Sequence, residues 1–310
     1  MKKYAVTVAS IAVLLLFSGC TTFPDLFSSS FSPVEPVSEE MTNDVIVVKN
    51  LKSVPERVYT SSEFSLIFIL KHEGEPASSM EAKNVKVEFY DWGLCKPKGE
   101  SGDTFAPIPG KTFTPQEEEM VEVEFSAPSN EELANMPGSC PIRFRVTYDY
   151  SAVTQVDMKV ISSEKKKELQ MTGKYQEYSP KQVIGLGPLK IYFTFTEPQP
   201  VTEKKRTMIL FQVKNVGEGR IENGKIKMNT LAITFPSDFK NIQCDKMRCS
   251  GNTCKNSEEI DFVRDATSSL RCFFSLPPVR NQKTFYITGR LNYTYEIDKE
   301  IEVPIIPVME

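Results

Sequence analysis

The sequence predicts an all-β protein built from two antiparallel β-sandwiches in tandem, which follow a signal peptide and a flexible tether. Two observations predict this class. Apolar and charged residues alternate at period two, as in Val85–Phe89 and Ile142–Val146, which is the pattern of a sheet with one face in water. Short runs of β-branched and aromatic residues are separated by turn signals such as Pro137-Gly138, and together they are typical of a sandwich.

The first twenty residues predict where the chain folds. A basic start is followed by an uncharged, mostly apolar run at positions 4–17, and Ser18-Gly19-Cys20 ends it. A helix needs about 20 apolar residues to cross a bilayer, so the run predicts a signal peptide over residues 1–19. Here the chain resembles prokaryotic surface lipoproteins, and the resemblance implies cleavage before Cys20 and a lipid on its sulfur. A secretory signal that leaves Cys20 unmodified is the alternative.

Composition divides the rest of the chain. Residues 20–43 are rich in Ser, Pro and Glu and predict a flexible tether after the lipidated cysteine. Residues 44–162 and 189–310 predict the two sandwiches, and residues 163–188 interrupt the strand pattern and predict a linker. The predicted strands are Val45–Leu51, Phe64–Leu70, Val85–Tyr90, Val121–Phe125, Ile142–Tyr150 and Val153–Ile161 in the first sandwich, and Leu189–Thr196, Met208–Lys214, Lys225–Phe235, Leu270–Ser275, Thr284–Ile297 and Glu300–Ile306 in the second.

The two halves resemble each other in sequence. Residues 142–161 align without gaps on residues 287–306, so that Tyr148 falls on Tyr293 and Tyr150 on Tyr295. A second block, residues 66–74, aligns on residues 209–217 at nearly the same offset. Two nearly equal offsets predict that one domain was duplicated.

A strand ending in Lys-Asn-x-Gly, at Lys214-Asn215-Val216-Gly217, carries a further resemblance. It is similar to the bacterial and archaeal immunoglobulin-like domains of the CARDB-like, cell-adhesion-related type. The resemblance covers residues 44–161 and 189–307 and implies immunoglobulin-like sandwiches in a surface protein. In this motif Asn and Gly are expected to shape the turn because both residues tolerate positive φ.

Seven cysteines are present, and with Cys20 assigned to the lipid the other six divide evenly between the halves. Even sets in an oxidising compartment predict disulfides. In the first half only one pairing is possible, Cys95 with Cys140. In the second half, placement near core strands predicts Cys244 with Cys272, and placement in a turning polar stretch predicts Cys249 with Cys254.

A zinc site is the weaker interpretation of the second-half cysteines, since their Cys-x4-Cys spacing is wider than the Cys-x2-Cys spacing that places two thiolates on one zinc ion. We therefore expect no metal and no cofactor. The single histidine, His72, aligns with Asn215 at a strand end, which predicts a turn residue rather than a catalytic base. Without a second histidine or a nucleophile motif, the sequence predicts no enzyme activity.

The sequence predicts a lipid-anchored, extracytoplasmic protein that acts as an adhesion, envelope-structural or protein-interaction module. A surface lipoprotein that binds a solute or a glycan is the alternative. The expected partners are the membrane, through the lipid on Cys20, and an unidentified envelope protein or glycan. A net charge of −4 with interspersed signs argues against nucleic acid. Asn292-Tyr293-Thr294 is a glycosylation sequon, usable in a host that has that pathway.

Overall fold

The structure is a computed structural model that describes residues 43–74, 80–99, 102–134 and 138–308. Cys20, the predicted signal peptide and almost all of the predicted tether lie outside these residues. By its contacts, the chain from residue 42 onwards forms one compact unit. Among the described residues, no helix has both the length and the apolar character that crossing a bilayer requires.

Strands dominate the described residues, which confirms the all-β prediction. We call residues 44–162 the first half and residues 189–310 the second half. The first half contains β1 (Ile46–Val54), β2 (Val58–Tyr59), β3 (Glu63–His72), β4 (Ala82–Asp91), β5 (Lys96–Pro97), β6 (Phe105–Phe113), β7 (Glu118–Ser126) and β8 (Gly138–Ile161). Between the halves lie α1 (Ser163–Met171) and β9 (Gln182–Ile184).

The second half is divided into more and shorter strands. It contains β10 (Leu189–Phe195), β11 (Val201–Thr202), β12 (Arg206–Asn215), β13 (Arg220–Ile221), a 3₁₀ turn (Glu222–Gly224), β14 (Lys225–Ile226), β15 (Leu231–Thr234), β16 (Lys240–Cys244), β17 (Met247–Ser250), β18 (Thr253–Asn256), β19 (Ile260–Val263), β20 (Ala266–Thr267), β21 (Leu270–Ser275) and β22 (Gln282–Ile306).

The described strands form three sheets. The first-half sheet has the order β1-β3-β7-β5, and the second-half sheet has the order β14-β19-β20-β12-β21-β16, with β10 added beside β12. The third sheet, which we call the shared sheet, has the order β17-β18-β15-β22-β8-β4-β6 and takes strands from both halves. The short strands β2, β9, β11 and β13 pair onto its two longest members, β8 and β22.

The two halves repeat one pairing scheme. In the first half β1, β3, β7 and β5 are successive neighbours, and in the second half β10, β12, β21 and β16 are joined in the same succession. The short parallel pairs also correspond, since Val58 lies opposite Ile305 and Val201 lies opposite Val160. The sequence similarity between the halves is therefore accompanied by equivalent strand pairing.

The antiparallel pairing of β8 with β22 joins the halves, and we call it the seam. It runs without a register shift from the pair Gly138 and Ile305 to the pair Ile161 and Gln282. Asp149 lies opposite Thr294, and these two residues are also separated by the 145 positions of the sequence repeat. The seam thus pairs β8 with β22, the equivalent strands of the two halves, at the centre of the shared sheet.

Aromatic rings pack the half-specific sheets onto the shared sheet. Phe68 of β3 stacks on Phe144 of β8 with ring centroids 4.7 Å apart. In the second half Phe239 lies 4.9 Å from Phe274 of β21 and 5.1 Å from Phe285 of β22. These side chains are buried, and their burial against two sheets is what makes each half sandwich-like.

The structure differs from the predicted strands at the centre of β8. The sequence predicts separate strands at residues 142–150 and 153–161, but both belong to one strand of 24 residues. Inward-facing Tyr150, Ala152 and Thr154 continue the alternation across the expected break, and no turn residue interrupts it. The pattern therefore lets one strand run the length of the sheet.

The predicted linker, residues 163–188, also contains regular structure. Its helix α1 begins after Ser162, whose hydroxyl accepts a hydrogen bond from the Lys165 amide and caps the helix. Further on, β9 pairs with β8. The Tyr178 hydroxyl donates a short hydrogen bond to Asp157, which raises the pKa of Tyr178 to about 12. This segment is thereby attached to the shared sheet at several points.

Candidate functional site

The structure joins the same cysteine pairs that the sequence predicts, while Cys20 lies outside the described residues. Cys95 and Cys140 are both fully buried and form a disulfide that spans 45 residues. The amide of Cys95 donates to the carbonyl of Trp92. This disulfide holds the loop after β4 against the start of β8.

Two disulfides lie side by side in the second half. Cys244 and Cys272 face each other across β16 and β21, and Cys249 and Cys254 face each other across the β17–β18 hairpin. The sulfur atoms of Cys244, Cys249 and Cys254 all lie within 4.8 Å of one another. Three thiolates at that spacing could hold a metal ion, but here Cys249 is bonded to Cys254 and Cys244 is bonded to Cys272, so metal binding would first require reduction.

His72 is a buried turn residue, as its alignment with Asn215 predicts. Its Nδ1 accepts a hydrogen bond of 2.9 Å from the amide of Gly74, and Asn215 Oδ1 accepts one of 3.2 Å from the amide of Gly217. The two halves thus close equivalent turns with different side chains. Burial lowers the pKa of His72, which keeps the imidazole neutral and able to accept this bond.

The Lys-Asn-x-Gly turn uses its glycine for a reason other than the expected one. Neither Asn215 nor Gly217 has positive φ. A Cβ on Gly217 would lie 2.2 Å from Asp44 Oδ1 and 2.6 Å from the Tyr295 hydroxyl. Gly217 is therefore required because the backbone passes too close to buried polar groups for a side chain to fit.

Four tyrosines line the buried side of the seam. Tyr148 lies opposite Tyr295 and Tyr150 lies opposite Tyr293. In the sequence repeat Tyr148 corresponds to Tyr293 and Tyr150 to Tyr295, and the antiparallel pairing of the two strands exchanges these partners. Burial raises the pKa of all four hydroxyls, so they stay protonated. Tyr148 and Tyr295 are fully buried and belong to the core, whereas Tyr150 and Tyr293 keep a few per cent of their surface exposed and border the groove described next.

A groove of about 500 Å³ lies on the opposite, solvent-facing side of the seam. Its floor consists of residues 149–151 of β8 and of Arg290, Asn292, Tyr293 and Thr294 of β22. One wall is formed by Met80, Glu81 and Lys83, and the other by Ile221, Glu222, Lys225, Lys227 and Thr230. The groove lies where the two halves meet, over the pair Asp149 and Thr294.

Polar groups on the groove floor are arranged in hydrogen-bonded pairs. Ser151 Oγ donates to Asn292 Oδ1 at 2.6 Å, and Thr294 Oγ1 donates to Asp149 Oδ1 at 2.6 Å. Asn84 Nδ2 donates to the other oxygen of Asp149 at the same distance. These bonds satisfy both oxygens of the carboxylate, and among the described residues the Asn292 side-chain nitrogen, Nδ2, donates to no partner.

Four cations and three carboxylates line the groove. Lys225 forms ion pairs with Glu259 and Asp261, and Lys227 forms one with Glu222. Among the described residues, Arg290 forms no ion pair. The groove therefore combines an unpaired guanidinium with amide and hydroxyl groups, which suits a polar ligand that accepts hydrogen bonds.

Sequence reasoning did not identify the groove, although it singled out Asn292 as a glycosylation site. Asn292 is exposed, but it lies within a strand at the groove floor, so a glycan attached there would occupy the groove. The alternation of β22 does indicate that Arg290, Asn292 and Thr294 face outward. What the sequence lacks is the pairing that places them beside Asp149 and Ser151.

Comparison with known proteins gives no family. No family model and no curated protein matches this chain. Among solved structures, the Fcho1 mu homology domain of Danio rerio with a bound Eps15 peptide has a TM-score of 0.23 at 5% identity, over 84% of this chain and 89% of that one. Collagen adhesin from S. aureus has a TM-score of 0.13 at 8% identity, over 85% and 96% of the two chains. Likenesses this weak assign neither a relative nor a function.

Proposed function

We propose that this protein is a lipid-anchored extracytoplasmic module that acts without catalysis, in adhesion, envelope structure or protein interaction. The observation that carries the proposal is the seam, which makes one continuous sheet from two similar halves. A long sheet that disulfides crosslink at Cys140 of β8 and across the β17–β18 hairpin is stabilised against unfolding, and its exposed strands offer surfaces for contact. The start of the chain supports the anchor, since it has the features of a lipoprotein signal.

We infer further that the two halves are immunoglobulin-like sandwiches of the CARDB-like type, at residues 44–162 and 189–310. The equivalent strand order of the two halves supports this interpretation, as does the corresponding turn at His72 and Asn215. Domains of this kind extend a surface protein away from its membrane. The tether at residues 20–43 would add to that reach.

The anchor is tested by labelling cells that express the protein with an alkynyl fatty acid. The parent protein should be labelled and should enter the detergent phase on phase separation, while Cys20→Ser should lose both properties. Thr21→Ser is the matched control and should behave as the parent does. If Cys20→Ser keeps the label and the partitioning, then Cys20 is not the anchor.

The interaction role is tested with envelopes from host cells that lack the protein. The detergent-solubilised parent protein should bind them saturably, and unlabelled protein should compete with it. Binding that rises linearly with concentration and is not competed would contradict an adhesion or structural role.

Binding of a solute or a glycan is a second candidate function, and the groove over the seam is the observation that favours it. Its floor presents Asn292 and Arg290 in a concave polar site. No residue of the floor combines a nucleophile with a neighbouring base, so the arrangement suits recognition rather than reaction. Loss of ligand binding on changing Asn292 and Arg290 together, with the fold intact, would support this candidate.

A further inference from the structure

Three cations lie in one row across the exposed face of the shared sheet. Arg248 of β17 lies directly opposite Lys255 of β18, and Lys255 lies opposite Ala232 of β15. Ala232 in turn lies opposite Arg290 of β22. The residues therefore form a straight line perpendicular to the strands, which we call the basic row.

The side chains of the basic row share one face. Their sequence neighbours Cys254, Ile233 and Leu291 are buried, and side chains alternate between faces along a strand. Arg248, Lys255 and Arg290 are exposed. With neighbouring strands about 4.8 Å apart, the row extends for roughly 14 Å from Arg248 to Arg290.

The basic row has no counter-charge in the described part of the chain. None of its three cations takes part in an ion pair or a side-chain hydrogen bond there, although Lys225 and Lys227 of the nearby groove wall are paired with carboxylates. Like charges that face each other directly across two strands destabilise a sheet. Arg248 and Lys255 are such a pair, and an anionic occupant would remove their repulsion.

Hydroxyl and amide groups flank the basic row on both sides. One row further along the strands, on the same face, the residues are Ser250, Thr253, Thr234 and Thr288. On the other side the face continues through Thr230, Asn292 and Ser151 into the groove. A flat surface that combines cations with many hydroxyl and amide groups matches a ligand that carries both anionic groups and hydroxyls.

The side chains of this surface suit an acidic polysaccharide better than a lipid bilayer. A lipid bilayer would be expected to meet apolar or aromatic side chains beside the cations, and the row itself offers only Ala232. An acidic polysaccharide presents carboxylates or sulfates at regular intervals, with hydroxyls between them. Its charges match the cations, and its hydroxyls match the flanking Ser, Thr and Asn side chains.

We propose that the basic row binds an acidic polysaccharide, with the chain crossing the strands and reaching the groove at Arg290. This proposal rests on the second candidate function and names its ligand class. Arg248 and Lys255 bind anionic groups outside the groove, and Arg290 joins the row to the groove floor. The interaction is electrostatic and exposed, so it weakens as salt is added.

The test uses detergent-solubilised full-length protein with polygalacturonate, dextran sulfate and neutral dextran as probes. One or both acidic polymers should bind saturably and neutral dextran should not. The triple variant R248A, K255A and R290A should lower the affinity at least tenfold. The matched control K52A, K167A and K174A removes three exposed, unpaired cations elsewhere and should change the affinity less than twofold.

Four outcomes would overturn the proposal. The first is equal weakening in the two triple variants, and the second is an affinity that does not change with salt. The third is binding to vesicles of anionic phospholipid but to neither acidic polymer, which would assign the row to a membrane surface. The fourth is binding of a neutral oligosaccharide that is abolished in N292A but unchanged in the double variant R248A and K255A. That result would keep the groove as a binding site and reject the basic row. Unchanged near-ultraviolet circular dichroism shows that each variant is folded.

Discussion

Replacing Tyr295 by Ala removes a buried ring from the seam. The side chain is fully buried, and its ring lies 5.7 Å from Tyr148 and 6.3 Å from Tyr293. Its hydroxyl donates to Asn215 Oδ1 at 2.8 Å. Truncating a buried aromatic residue costs about 3–5 kcal/mol of unfolding free energy, and the site has little room to collapse because it lies between two sheets.

Two probes measure whether this loss of unfolding free energy affects both halves. Trp92 is the only tryptophan and lies in the first half, so its fluorescence in urea reports on that half. Hydrogen exchange of the β21 amides reports on the second half. With a slope of about 3 kcal/mol per molar urea, Tyr295→Ala should move the Trp92 midpoint down by roughly 1–1.7 M, although the substitution lies in the other half.

Tyr295→Phe is the matched control because it keeps the ring and removes only the hydroxyl. It should cost about 0.5–1.5 kcal/mol, since Asn215 Oδ1 still accepts the bond from Gly217. Both probes should report the same smaller shift. A Trp92 midpoint that stays at the parent value in Tyr295→Ala, while β21 loses its protection, would refute the reasoning that the seam makes the halves cooperative.

Two further predictions concern the second-half cysteines and a buried carboxyl. Cys249→Ser frees the Cys254 thiol within 4.8 Å of the Cys244 sulfur. The Cys254 thiolate should attack that sulfur, form a Cys244–Cys254 bond and release Cys272 as a thiolate. Peptide mapping that finds only the parental Cys244–Cys272 bond would contradict this prediction. Burial raises the pKa of Asp44, so its contribution to stability is present at low pH and is lost as pH rises through the raised folded-state pKa. Asp44→Asn should therefore gain stability relative to the parent as pH rises through that range, and a stability difference that does not change with pH in urea titrations would show that the buried carboxyl is not responsible.

Local sequence pattern determined which residues face the core. Period-two alternation along residues 142–161 already assigns Tyr148 and Tyr150 to the inner face, and the even cysteine sets already limit the disulfides. Side-chain alternation is a property of the strand itself, so it can be read without knowing the neighbours of the strand. The same holds for the basic start and short apolar run that predict a signal peptide, since both depend on composition alone.

Tertiary structure decided which strands are neighbours, and with them the candidate sites. Arg248, Lys255 and Arg290 are spread over 43 positions in the sequence, and they form a row because β17, β18, β15 and β22 pair in one register. The groove likewise exists because Asp149 and Thr294 meet at the seam. Alternation fixes the face of each side chain, but register is set by pairing between distant segments, and only the folded sheet shows which outward-facing residues lie together.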